Sequence, residues 1–142
     1  MTYIFLMTQQ IIIKKVNSPA PGSINDDIDY ICKSLGYFSP RDKQDTAGKI
    51  FRLLVKNACQ PGSCLTSDEI AEKLNLTRGA IVHHLNNFIS AGLVIKERNK
   101  YRLRSHSLQK SIEELREDID RIIDEVLKIA SEIDQKLGHY YR

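Results

Sequence analysis

Tryptophan is absent from the 142-residue chain, aromatic residues make up only 7% of it, proline occurs four times and cysteine three times. Cys32, Cys59 and Cys64 are an odd number in a chain without a readable secretion signal, which argues against a disulfide framework and for reduced thiols. Cys59 and Cys64 flank Pro61-Gly62, but three cysteines with no nearby histidine do not complete a structural zinc set. Long hydrophobic runs are missing too. The longest, Tyr3 to Met7 and Gly92 to Ile95, fall far short of the ~20 residues a spanning helix needs, so no membrane partner is expected. The first run has no basic region before it and no cleavage pattern after it, so a cytoplasmic protein is expected. No Gly-rich phosphate loop, nucleophile elbow or metal-hydrolase motif appears, so the chain reads as non-enzymatic, with no cofactor and no metal.

What remains is the composition of one ordinary domain, 42% hydrophobic and 27% charged. The net charge of +3 hides an uneven distribution: residues 77–104 hold six basic side chains and one acidic, a balance of +5, against +1 before and −3 after. A short basic block is the footprint expected where a protein meets a polyanion.

Four segments follow from the pattern. Residues 1–22 form an extended arm and linker, with a β-branched run at Ile11-Ile12-Ile13 and a Pro/Gly cluster at its end. Residues 23–44 are an N-terminal helical segment: Ser23 is placed to cap a helix carrying Ile24, Ile28, Ile31 and Leu35 before Gly36. Residues 45–104 hold the informative pattern. Ser39-Pro40 signals the start of a helix whose stripe is Ala47, Ile50, Phe51, Leu54, Val55 and Ala58, closed by Gln60-Pro61-Gly62-Ser63. Thr66-Ser67-Asp68-Glu69 opens another, with Ile70, Ala71 and Leu74, and Asn75-Leu76 is a tight turn. Thr77 caps the next, in which Ile81, Leu85 and Phe88 recur on one face until Gly92. The period then shifts toward two, and Asn99-Lys100 marks a turn between alternating segments at 93–98 and 101–104. Helix, turn, helix and basic hairpin make a winged helix-turn-helix.

Residues 105–142 carry Leu108, Ile112, Leu115, Ile119, Ile122, Val126, Ile129 and Ile133 at 4-3-4-3 spacing, the seam of a coiled-coil dimerisation helix. Ile123 and Ala130 widen this stripe toward a second surface, and the heptads leave parallel or antiparallel pairing open. The expected fold is mainly α with a small β-hairpin wing: a winged helix-turn-helix plus a long C-terminal dimerisation helix.

In such a unit the second helix, 77–91, enters the major groove with the face opposite its buried stripe. That face holds Thr77, Arg78, Gly79, Val82, His83 and Asn86. Arg78 suits a bidentate contact to guanine, His83 and Asn86 suit bases or phosphates, Gly79 allows close approach and Val82 fits a thymine methyl. In the wing at 94–104, Arg98, Lys100 and Arg102 surround the tip, where long cations reach phosphates or the minor groove. His84 falls at the core edge and reads as a packed histidine.

The runs Lys49–Leu54, Leu65–Ala71, Leu76–Leu85 and Ser90-Ala91-Gly92-Leu93-Val94 resemble the winged-helix regulators of the ArsR-like group, over about residues 45–104. The resemblance implies a homodimeric regulator binding double-stranded DNA, with its recognition helix at 77–91 and its wing near 98–102. Metal-sensing members carry Cys-x-Cys at the start of the preceding helix. This chain has Ser67-Asp68-Glu69-Ile70 there, so metal sensing at that site does not carry over. Val82 stands where many members have serine, and the heptad helix is longer than many members' terminal helix. The competing reading is a winged-helix protein-interaction module of the transcription machinery, whose coil recruits a partner.

Overall fold

The computed structural model describes residues 9–37, 41–58, 60 and 64–138. The apolar run Tyr3–Met7 and the Ser39-Pro40 signal lie outside these residues, as do Cys59 and Pro61 to Ser63.

Helix α1, Ile24–Ser34, starts where expected: Ser23 is extended, and its side chain accepts from the Asp26 N–H at 3.2 Å. Helix α2, Thr46–Asn57, begins later than the Ser39-Pro40 signal suggested. Its first turn is held by Asp42, whose carboxylate accepts from the N–H groups of Thr46 and Ala47, both at 2.9 Å. Those donors outweigh the opposing effect of partial burial and keep the Asp42 carboxyl below the usual carboxylate range. Arg52 of α2 ties the two helices together, pairing with Asp29 of α1 and, at 3.0 Å, with Asp45.

A two-residue strand β1, Leu65–Thr66, leads into helix α3, Ser67–Leu74, and then helix α4, Arg78–Ala91. Strands β2, Val94–Glu97, and β3, Lys100–Leu103, form the hairpin. The sheet has the order β1-β3-β2, all antiparallel, with Leu65 opposite Tyr101 and Val94 opposite Leu103. β1 was not expected, because two residues give no periodicity; it exists only through its pairing with β3.

The hairpin turn also needs correction, by one residue. Its central pair is Arg98-Asn99, at φ 49° and 67°, rather than Asn99-Lys100. Lys100 is already in β3, opposite Glu97. Positive φ at both central positions is what a two-residue hairpin requires to match the strand twist.

The core lies between α1, α2, α4 and the sheet. Phe51 and Phe88 meet edge to face at 6.0 Å between centroids, and Tyr37 closes on Phe88 at 4.4 Å. Ile50, Leu54, Ile70, Ile81, Leu85, Leu93 and Leu103 fill the space around them.

Helix α5, Leu108–Leu137, is 30 residues long and is capped by Ser107, which accepts from the Lys110 N–H at 3.1 Å. The heptad stripe divides along it. Leu115 is buried in the domain's own core, with Leu108, Ile112 and Ile119 packed beside it. Ile122, Val126, Ile129 and Ile133 are exposed, as are Ile123, Leu127 and Leu137. No helix among the described residues is long and apolar enough to cross a membrane.

The described part of the arm, residues 9–22, packs on its own domain and contains no strand. Gln10 N–H donates to Ser90 O at 3.0 Å and Lys14 N–H to Ser34 O at 2.7 Å. It crosses two glycines that terminate helices with positive φ, Gly36 at 76° and Gly92 at 94°. A Cβ on Gly36 would stand 2.7 Å from Ile12 Cγ2, so that position needs glycine for space as well as for φ, whereas one on Gly92 would meet only the movable end of Gln9 at 2.3 Å, and there φ is the requirement.

Where the arm meets α5, Asp118 is 6% exposed and its carboxylate accepts from Gln9 Nε2 at 3.0 Å, from Arg104 and from Arg121. Burial pulls the Asp118 carboxyl upward in pKa. Hydrogen bonds from Arg104 and Gln9 and the charges of Arg104 and Arg121 prevail, and hold it below the usual range.

Two stability outcomes are expected. Phe88→Ala empties the centre of the aromatic cluster and should cost about 3–5 kcal/mol, read as a lower urea midpoint. Because folding depresses the Asp118 pKa, its ionisation stabilises the fold fully above the ordinary carboxylate value of about 3.9, and that contribution is lost as pH falls through the lower folded value. Asp118→Asn should therefore be destabilising at pH 7, and the gap to wild type should narrow as pH falls below about 4 in thermal melts. A gap that stays constant with pH would show that the charge is irrelevant.

Candidate nucleic-acid interface

The helix-turn-helix is built from two well-capped helices. Thr66 and Glu69 form a reciprocal capping box on α3: Thr66 Oγ1 accepts from Glu69 N–H at 3.1 Å and Glu69 Oε1 from Thr66 N–H at 2.8 Å. Asn75 closes α3 in the left-handed region, and Thr77 caps α4 by accepting from the Ala80 N–H at 3.4 Å.

The rotation of α4 about its axis is fixed by burial. Ile81 and Leu85 are 0% exposed and Phe88 1%. The opposite face carries Thr77, Arg78, Gly79, His83 and Asn86, all exposed, with Val82 half-buried beside them. A Cβ on Gly79 would meet nothing within 4 Å, so its lack of a side chain leaves an open notch in that face. Arg78 Nε lies 3.6 Å from Asp68 Oδ1 of α3, with both side chains well exposed; such a loose pair is readily exchanged for another anion.

The wing separates its cations into two groups. Arg98 and Lys100 are exposed beside the turn, and Lys96 lies 5.5 Å over the Tyr101 ring. Arg102 is half-buried: its guanidinium pairs with Glu97 at 3.0 Å and donates to the carbonyls of Leu103 and Arg104 at 3.0 and 3.3 Å. Arg104 faces α5, where it pairs with Asp118 and with Glu114, the latter at 3.2 Å. Within the basic block, the charge presented outward is therefore concentrated on Arg78, Lys96, Arg98 and Lys100. Sequence reading did not assign the pairing of Arg104 or the role of Gln9. The available signal was Asp118 itself, an acid within the apolar sector between Leu115 and Ile122.

Flanking α4 is a cleft of about 590 Å³ between the arm and the end of α1, lined in part by Tyr37, Asp42, His83, His84 and Asn87. His84 is half-buried. Desolvation lowers its pKa below the usual imidazole value, the Asp42 charge works against this and the neighbouring His83 adds to it. Cys32 is buried against α2, and burial first, then the charges of Asp45 and Asp29, push its thiol up to about 12, so it stays protonated at neutral pH. Among the described residues, no group of three His, Cys, Asp or Glu side chains converges on a possible metal position.

Residues 52–96 match the family model described as bacterial regulatory protein, arsR family, which is less than half of the chain. No curated protein and no solved structure gives a significant match. The matched residues run from α2 to the first wing strand, so the helix-turn-helix is similar to that of the arsR family, a match that supports a DNA-binding transcriptional regulator.

Proposed function

We propose that the protein is a homodimeric, sequence-specific transcriptional regulator that lays α4 (77–91) in the major groove and its wing (94–104) on the backbone or minor groove of double-stranded DNA. The observation that carries this is the arrangement of α4: its apolar face is sealed in the core, and its outward face lies in the basic block with the wing tip. Thr77, Arg78, Gly79, Val82, His83 and Asn86 would read or approach bases, while Arg98 and Lys100 would hold phosphates. Arg102 contributes less in this reading, since Glu97 already holds its guanidinium. Residues 45–104 are then the DNA-binding unit, buttressed by 23–44 and strapped by the arm within 1–22, and 105–142 supply the dimer contact.

Dimerisation is supported by the distal half of α5. Val126 is 58% exposed and Ile133 50%, in a stripe that also includes Ile122, Ile129 and Leu137. A contiguous apolar face of this kind marks an association surface. With Leu108, Ile112, Leu115 and Ile119 engaged in the domain, the seam between copies runs from Ile122 onward.

Fluorescence anisotropy on duplexes selected from a random pool tests the DNA reading. Arg78→Ala should weaken the selected site by about 1–3 kcal/mol and relax its sequence preference. Lys100→Ala should weaken all duplexes alike and reduce the log–log salt slope by about 1, and Arg102→Ala should do less than Lys100→Ala. Equal affinity of wild type for selected and scrambled duplexes would sink sequence reading; no binding to either would favour the protein-interaction module. Independently, light scattering should show Val126→Asp/Ile133→Asp as a folded monomer where wild type is a dimer. A variant that remains dimeric would place the seam elsewhere.

A further inference from the structure

One carboxylate joins four parts of the molecule. Asp118 of α5 accepts from Gln9 of the arm at 3.0 Å, from both terminal nitrogens of Arg104 at the base of the wing, one of them at 3.2 Å, and from Arg121. The same Gln9 amide donates to Ala91 O in the last turn of α4 at 3.1 Å, and Arg104 reaches Gly92 O at 3.5 Å and Glu114 at 3.2 Å. Arm, wing base and long helix thus meet at a carboxylate almost fully withdrawn from solvent, and the end of α4 is joined to it through Gln9 and Arg104.

Its position along α5 matters as much as its partners. Ile119 is the last residue of α5 packed on the core, and from Asp120 to Leu137 every residue is exposed. The distal helix therefore projects about 27 Å, at 1.5 Å per residue, beyond the turn that holds Asp118. A tilt of about 10° there moves the far end by about 5 Å, more than one base-pair step on DNA that advances about 34 Å per ten base pairs.

We propose that the Asp118–Arg104–Gln9 cluster is a joint that fixes the angle of the long helix to the DNA-reading unit and so sets the spacing between the two half-sites a dimer accepts. This rests on the dimeric DNA-binding reading above. Asp118, Arg104 and Gln9 are positioning residues: base preference within a half-site stays with α4, and the cluster governs the distance between half-sites. The arm acts as a strap, since Gln9 spans the end of α4 and Asp118, and the following residue donates to Ser90 O at 3.0 Å.

Two readouts test this on the full chain, comparing wild type with Asp118→Asn and Gln9→Ala. Gln9→Ala removes the strap but leaves the ion pairs, so it stays informative if Asp118→Asn folds poorly. The first readout is independent of DNA. Spin labels at Lys100→Cys and Gln135→Cys, in a chain whose native cysteines are replaced by alanine and diluted with unlabelled protein, should give a narrow distance distribution in the parent and a broader one in both variants. The second is selection from a pool of paired half-sites with variable spacers, where wild type should enrich one spacing and the variants several, with the half-site sequence unchanged. Equally narrow distance distributions in the parent and in a folded variant would overturn the joint. Failure of wild type to enrich any paired site would overturn the dimeric DNA reading and, with it, the link to half-site spacing, while the spin-label result still decides whether the joint is rigid.

Discussion

The burial of one face of α4 is the constraint on which everything else rests. Ile81, Leu85 and Phe88 sit among the residues of α2 and the sheet with essentially no exposure, and Phe88 is in contact with two further aromatic rings. Rotating the helix would put these side chains in water at about 1.5–3 kcal/mol each. The helix therefore has one orientation, and the residues at the complementary angles, Arg78, Gly79, His83 and Asn86, are turned outward by the same packing that hides the others. Local capping then sets the ends: Thr77 at one side and the left-handed Gly92 at the other limit α4 to 14 residues.

Charge follows packing. The basic block is a property of the chain, yet its six cations do different things once folded. Arg102 lies along its own strand and Arg104 turns to α5, where low exposure and several hydrogen bonds make the contact with Asp118 structural. Arg98 and Lys100 are held at the tip because the turn places Arg98 and Asn99 in the left-handed region and starts β3 at Lys100. A basic segment is thereby sorted into a surface and a brace.

Much of this was legible beforehand. The apolar spacing located the five helices of the described residues, Ser23, Thr66 and Thr77 were readable as caps because their side chains act within three residues, and Gly92 was readable as a stop. The outward residues of α4 followed from angular position alone. The start of α2 was not readable: Asp42 caps it across four residues from a position with no helical period, whereas Ser39-Pro40 offered the stronger local pattern. The wing turn was shifted by one residue, since Arg98 has no intrinsic preference for positive φ and accepts it under the register that Val94 and Leu103 impose.

The heptad stripe shows where sequence and tertiary structure divide the work. The sequence by itself determined the element order, the two faces of α4, the concentration of positive charge in residues 77–104 and an apolar line running the length of α5, because each depends on neighbours a few positions apart. Only the tertiary structure decided that this line is shared, its first half packed on the domain and its second half exposed, and that Gln9, Arg104 and Asp118 meet. Those contacts join residues up to 109 positions apart. No local periodicity encodes them; they arise when the core brings the arm, the wing base and α5 together.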